Sequence, residues 1–236
     1  MNNCSYFDLL AYLGVEEAHP GGFELTKKML GAVRIASGMS VLEVGCGTGK
    51  TAGYIYEQYK CDVSAIEPNS EMFAKAQRKF HQLQLPIKLF NAQAENLPFQ
   101  DSRFDIIISE SVTAFCYIPA ALKEYTRVLK KDGVLLAIEM TKEKQLQKEE
   151  EKEICQLYNI PNILTEEEWR MSFARAGFSK YKVLLRQTIA ETTPHNGETM
   201  LNHPIPSHLW NVWSTHQHIT EKYREVLGHR VFICKK

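Results

Sequence analysis

The six cysteines, at positions 4, 46, 61, 116, 155 and 234, include no C-x-x-C pair. A structural zinc site draws on such pairs, so zinc has no support, no metal ligand is assigned, and free thiols in a reducing compartment are expected. Net charge is also missing: 28 Lys and Arg balance 28 Asp and Glu, so no global basic field recommends a nucleic-acid partner. The chain lacks an apolar run long enough to span a bilayer and its N-terminus lacks a signal-peptide pattern, which points to a cytoplasmic location without a membrane partner. There is no internal repeat or low-complexity tract. A chain of 236 residues with ordinary apolar content can bury a good core, and a single domain over 1–236 is expected.

What is present is a buried-strand pattern, Val41-Leu42-Glu43-Val44, running into Gly45-Cys46-Gly47-Thr48-Gly49 and then into a helix. Glycine lets the chain turn sharply at positive φ and lets a ligand approach the backbone. The following helix adds free N–H groups and the positive end of its dipole. A P-loop would need its first glycine at position 44, which is Val44, so that reading fails despite Gly49-Lys50-Thr51. The dinucleotide fingerprint would need a third glycine at position 50, which is Lys50, and a nicotinamide or flavin site is weakened.

The remaining pattern, acidic-x-G-x-G-x-G over Glu43 to Gly49, resembles the first motif of the class I S-adenosylmethionine (SAM) dependent methyltransferases, of the small-molecule type. Later segments fall in that family's order. Cys61 to Glu67 reads as a short apolar strand ending in an acid about twenty residues after the loop, where a carboxylate can accept both ribose hydroxyls. Pro68-Asn69-Ser70-Glu71-Met72 resembles the second motif, with Asn69 or Ser70 capping a helix through Gln82. After a strand over Ile87 to Asn91, Ala92-Gln93-Ala94-Glu95-Asn96-Leu97-Pro98-Phe99 is similar to the adenine-contacting segment. Gln93 stands where the family usually has aspartate; its carbonyl can accept the same hydrogen bond, and the Ala94 N–H would reach the ring. Phe104 to Ser111 is a nearly unbroken apolar strand with a polar C-terminal end, and in the family this motif faces the methionine part of SAM and the acceptor.

The resemblance covers residues from about 39 to 140. It implies a Rossmann-like α/β sandwich: a mostly parallel seven-stranded sheet, helices on both faces and an antiparallel last strand. It implies SAM as cofactor and S-adenosylhomocysteine (SAH) as product. Glu43, Gly45, Gly47, Gly49, Glu67, Pro68, Gln93, Ala94, Glu95, Ser109 and Glu110 are the expected cofactor contacts, with Ser109 and Glu110 holding the ammonium group or the acceptor. The expected reaction is in-line methyl transfer to a small molecule. The leaving group is a neutral thioether that needs no protonation, so the protein mainly positions the acceptor and excludes water. Tyr6, Phe115 and Tyr117 could face the sulfonium; His19, Glu110 and His195 are possible bases, and no catalytic residue is assigned. Methylation of a protein or RNA, or a non-catalytic SAM or SAH binding module, are the alternatives.

Residues 1–38 read as a helical lid, with a helix from Phe23 to Ala36. Residues 39–140 read as the SAM core, and 141–236 as the rest of the sheet with helical insertions forming a substrate cap. Pro119 to Lys131 reads as a helix and Val134 to Glu139 as a strand. Lys142 to Glu153 reads as an exposed, ion-paired helix. Thr165 to Glu168 is a capping box for a helix closing at Gly177, and Tyr181 to Arg186 reads as a strand. Six of eight histidines fall between 195 and 229. On a helix, His216 and His218 would point about 200° apart and could not easily share an ion. Arg230 to Cys234 is expected as a last strand at the sheet edge. The assembly is expected to be a monomer or homodimer.

Overall fold

A computed structural model describes residues 5–14, 19–192 and 205–236. Seven strands form one sheet: β1 (Ser40–Val44), β2 (Asp62–Ile66), β3 (Lys88–Phe90), β4 (Phe104–Glu110), β5 (Leu129–Lys142), β6 (Lys180–Thr188) and β7 (Leu227–Lys235), in spatial order β3-β2-β1-β4-β5-β7-β6. β1 pairs in parallel with β2 and β4, β2 with β3, and β4 with β5, whereas β7 is antiparallel to both β5 and β6. The last strand is therefore inserted between its neighbours, and β6 is the edge. The expectation of a final strand at the edge is overturned, because an Arg230-to-Cys234 run buried on both sides pairs better in the interior.

Helices cover both faces. On one side α2 (Gly22–Leu30), α3 (Lys50–Tyr59) and α4 (Ser70–Gln82) pack Leu25, Met29, Ile55, Ala76 and Phe80 against Val41, Val63, Ile106 and Ile108. On the other, α5 (Ile118–Val128) and α7 (Glu166–Ala176) pack Leu122, Tyr125, Trp169 and Phe173 against Leu42, Val44, Ile107 and Phe232. Val41 and Leu42 go to opposite faces, as the two-residue period of a strand requires. Beyond the C-terminal ends of β4 and β5, α6 (Lys148–Tyr158) and α8 (Ser207–Lys222) share a third apolar cluster with Leu227 of β7, and α1 (Tyr6–Leu13) rests on α8 and α4 through Tyr6 and Leu10.

Local chemistry sets the helix boundaries. Asn69 caps α4 by accepting from the N–H groups of Glu71 and Met72. Thr165 and Glu168 form the capping box of α7, which ends on Gly177 at φ 102°. Three expected boundaries moved. The helix from Phe23 stops at Leu30, with Gly31 after it. The helix from Pro119 stops at Val128, because the carbonyls of Arg127 and Val128 are taken by the N–H groups of Ser102 and Arg103, and Leu129 turns extended to pair with Phe104. The charged run is split: Lys142 ends β5 as a buried side chain bonded to Glu151 at 2.7 Å, and the helix begins only at Lys148.

Candidate functional site

The corner from β1 to α3 lies at the C-terminal edge of the parallel strands, where ligands of open α/β sheets bind. Its three glycines all have positive φ, but they are needed for different reasons. A Cβ on Gly45 would meet Val112 at 2.5 Å, and one on Gly49 would meet the Phe80 ring at 2.5 Å, so both are demanded by packing. A Cβ on Gly47 would find nothing nearer than the Met72 sulfur at 4.0 Å. Gly47 therefore presents bare backbone to open space, as a ligand cradle does.

Glu67, directly after β2, holds that cradle in shape. Its carboxylate accepts from the N–H of Gly47 at 2.8 Å and of Asn69 at 2.9 Å. Burial raises its pKa, and those two N–H groups pull the other way. Pro68 is exposed beside it. Glu43 is buried under the loop; burial first, then the charges of Glu110 and Glu67, raise its pKa well above the usual carboxylate range, against the Ala52 N–H. Its Oε2 and the Oγ1 of Thr48 are buried without a hydrogen-bond partner among the described residues. An unpaired carboxyl oxygen and an unpaired hydroxyl beside an open glycine cradle fit a polar ligand with hydrogen-bonding groups of its own, since leaving them unpaired costs about 1–3 kcal/mol each.

The segment after β3 is pinned from below. Arg127 donates to the carbonyls of Leu97 and Phe99, and Glu124 accepts from the Leu97 N–H. This leaves Gln93 exposed and Ala94 buried at the rim, while Glu95 accepts from the Tyr117 N–H at 2.8 Å and ties the segment to the loop after β4.

The two polar residues at the end of β4 diverge. Ser109 turns to the α5 face, where its hydroxyl contacts Thr113 at 2.8 Å and Glu139 at 3.3 Å; Glu139 also accepts from the N–H groups of Thr113 and Ala114. Ser109 thus helps to hold the short helical turn Thr113–Phe115. Glu110 turns to the α2 and α3 face. It accepts from Thr51 Oγ1 at 2.9 Å and from Thr26 Oγ1 at 2.6 Å, and Thr26 in turn lies 3.1 Å from His19 Nε2. His19 Nδ1 is 3.1 Å from the Pro20 carbonyl, which can only accept, so that nitrogen carries a proton. A polar line therefore runs along the sheet edge from the glycine corner to the N-terminal segment: Thr51, Glu110, Thr26, His19.

Of the aromatic residues proposed to face a cation, Tyr6 and Phe115 converge with Tyr158 of α6 and His216 of α8, with Tyr6 5.0 Å from both Tyr158 and His216 by ring centroid. Tyr117 is 70% exposed and stands apart. His216 bonds Tyr158 while His218 is exposed, so the two rings face different surroundings. His195 lies outside the described residues. Thr26, Thr51, Glu139 and His229 carry no signal in the sequence that distinguishes them from ordinary packing residues.

A family model described as a methyltransferase domain matches residues 41–133. The uncharacterized methyltransferase YodH of Bacillus subtilis (strain 168) is 32% identical over 232 residues, covering 98% of this chain and 99% of the relative. Among solved structures, the cyclase SpnF aligns with a TM-score of 0.78 at 20% identity, over 98% of this chain and 93% of that one. The phosphoethanolamine N-methyltransferase 2 of Haemonchus contortus, solved with phosphomonomethylethanolamine and SAH, aligns with a TM-score of 0.80 at 17% identity, over 98% of this chain and 57% of that one. At those identities the two structures bear on the fold. The full-length relative and the family model show the family: the chain belongs to the class I SAM-dependent methyltransferases and uses SAM as its cofactor.

Proposed function

We propose that this methyltransferase acts on a small-molecule acceptor bound over β4, β5 and β7, on the α2 side of the sheet edge. The observation that carries this reading is the polar line Thr51–Glu110–Thr26–His19, which joins the cofactor corner to a segment lying over the edge. An acceptor there lies under α2 and beside α6 and α8. The Haemonchus contortus relative of this fold holds a small molecule together with SAH, which agrees with that size class.

In this reading Glu67 swings from Gly47 and Asn69 to take the ribose hydroxyls, Gln93 and the Ala94 N–H read the adenine, and Glu43 with the Gly45-to-Gly49 backbone receives the amino-acid end. SAM supplies an electrophilic methyl group whose departure leaves a neutral thioether. The chain's own work is to align the acceptor and keep water out.

Calorimetric titration with SAH, repeated on Glu67→Ala, tests the cofactor half. Loss of a charge-assisted contact to two hydroxyls should weaken binding by roughly tenfold or more. Equal affinity in the variant removes Glu67 from the site. Methyl-labelled SAM incubated with a cell extract split by size tests the acceptor half: label in the small-molecule fraction is expected, and label confined to protein or RNA rejects it.

A further inference from the structure

Among the described residues, four buried side-chain polar atoms lack a hydrogen-bond partner: Glu43 Oε2, Thr48 Oγ1, and both ring nitrogens of His229. The first two mark the cofactor corner. His229 lies further along the same sheet edge, in β7, paired with Met140 near the C-terminal end of β5 and with Gln187 of β6. It is fully buried. On its side of β7 the neighbours two residues away are Leu227 and Val231, members of the apolar clusters under α6 and α8 and under α2. An imidazole with two unpaired nitrogens between apolar neighbours is a costly arrangement, and native structures keep such groups where something else completes them.

The charged surroundings define its state. Burial, and then the charges of His19 and Arg230, push the His229 pKa down to about 4, with Glu143 opposing. At neutral pH the ring therefore offers one N–H and one lone pair. His19, which acts on it, is also the end of the polar line from Thr51 and Glu110. In the strand order β1-β4-β5-β7, His229 thus lies beyond that line as seen from the glycine corner, at the part of the sheet edge where the methyl-transfer reading puts the acceptor.

We propose that His229 binds the methyl acceptor, that the acceptor is an uncharged hydroxyl on an apolar body, and that His229 takes the hydroxyl proton as the methyl group is transferred. The inference rests on the methyl-transfer reading above. In the step, the hydroxyl oxygen forms a bond to the methyl carbon while the bond from that carbon to sulfur breaks and its electron pair stays on sulfur. The O–H proton passes to the lone-pair nitrogen of His229, so the positive charge that entered on sulfur leaves as imidazolium and then as a proton to solvent on product release. A weak base suffices, because an oxygen carrying both the new methyl group and its proton is a far stronger acid than imidazolium. An ammonium product is a weaker acid than this imidazolium and would keep its proton, so the same ring has no use in N-methylation.

The experiment uses the full chain with histidine ring nitrogens labelled by nitrogen-15, saturated with SAH, and titrated with phenol, benzyl alcohol and benzylamine. The hydroxyl probes should shift the His229 nitrogens saturably and benzylamine should leave them unmoved. His229→Gln, neutral and able to donate and accept but not to take the proton, should keep SAH affinity and acceptor KM within about twofold while kcat falls roughly a hundredfold. Nitrogens that ignore every hydroxyl probe in an SAH-saturated protein, or a kcat unchanged in His229→Gln, overturn the proposal. Failure of SAH to bind at all instead defeats the cofactor assignment of Glu67 and its loop, and calorimetry on the same sample tells the two failures apart.

Discussion

Glu139 shows how one buried carboxylate can set a pH dependence. It is fully buried and accepts from the Thr113 and Ala114 N–H groups and the Ser109 hydroxyl. Burial outweighs those donors and pushes its pKa up to about 7 from 4.5. The folded state therefore holds a proton that the unfolded state has already lost between pH 4.5 and 7, and stability falls as pH rises through that window. The fall reaches about 3 kcal/mol above pH 7. Glu139→Gln keeps one acceptor for the turn and removes the titration. Urea unfolding at a series of pH values from 4.5 to 8 should show a flatter profile for the variant by that amount, and parallel profiles would mean that Glu139 is charged at no such cost. Val112, one residue before this turn, fills the space over Gly45, so Glu139 also positions the floor of the glycine corner.

At the scale of elements, α2 is the piece that fixes the N-terminal segment to the core. Its apolar side, Leu25, Met29 and Leu30, belongs to the core beneath the α3 face, so the helix cannot move far as a lid without exposing that surface. Its polar contact is Thr26, fully buried between His19 and Glu110. Thr26→Val keeps the shape and deletes the hydroxyl, leaving Glu110 one donor short. A loss of about 1.5–3 kcal/mol is expected for a hydrogen bond to a charged group, with most of it restored in Thr26→Ser. Chemical denaturation of the two variants checks this; a neutral Thr26→Val would show that apolar packing alone seats α2.

Across the whole molecule the continuous seven-stranded sheet joins the glycine corner to β7 and β6 through β4 and β5, so ligand binding at one end should stabilise the other. SAH at a hundred times its dissociation constant should add about 2.7 kcal/mol. For a chain of this size that raises the melting temperature by roughly 5–11 °C, and calorimetry should record one transition that moves as a unit. Two transitions, of which SAH moves only the first, would show that the sheet's β5-β7-β6 end unfolds by itself.

The β1-to-α3 corner, the acid after β2, the caps of α4 and α7, and the alternation of strands and helices up to β5 are all legible in the amino-acid order. Each is settled within one turn or one short strand, where glycine geometry, a capping side chain or hydrophobic periodicity decides among few conformations. Assembly of the fold is what turns Glu110 to Thr26 and Thr51 while Ser109 faces Glu139, buries Lys142 on Glu151 instead of leaving it in a solvated helix, and inserts β7 between β5 and β6 to bury His229. Thr26 and Glu110 are 84 residues apart. Contacts of that range depend on strand order and on which face a side chain takes, and a two-residue period leaves both open until the sheet is assembled.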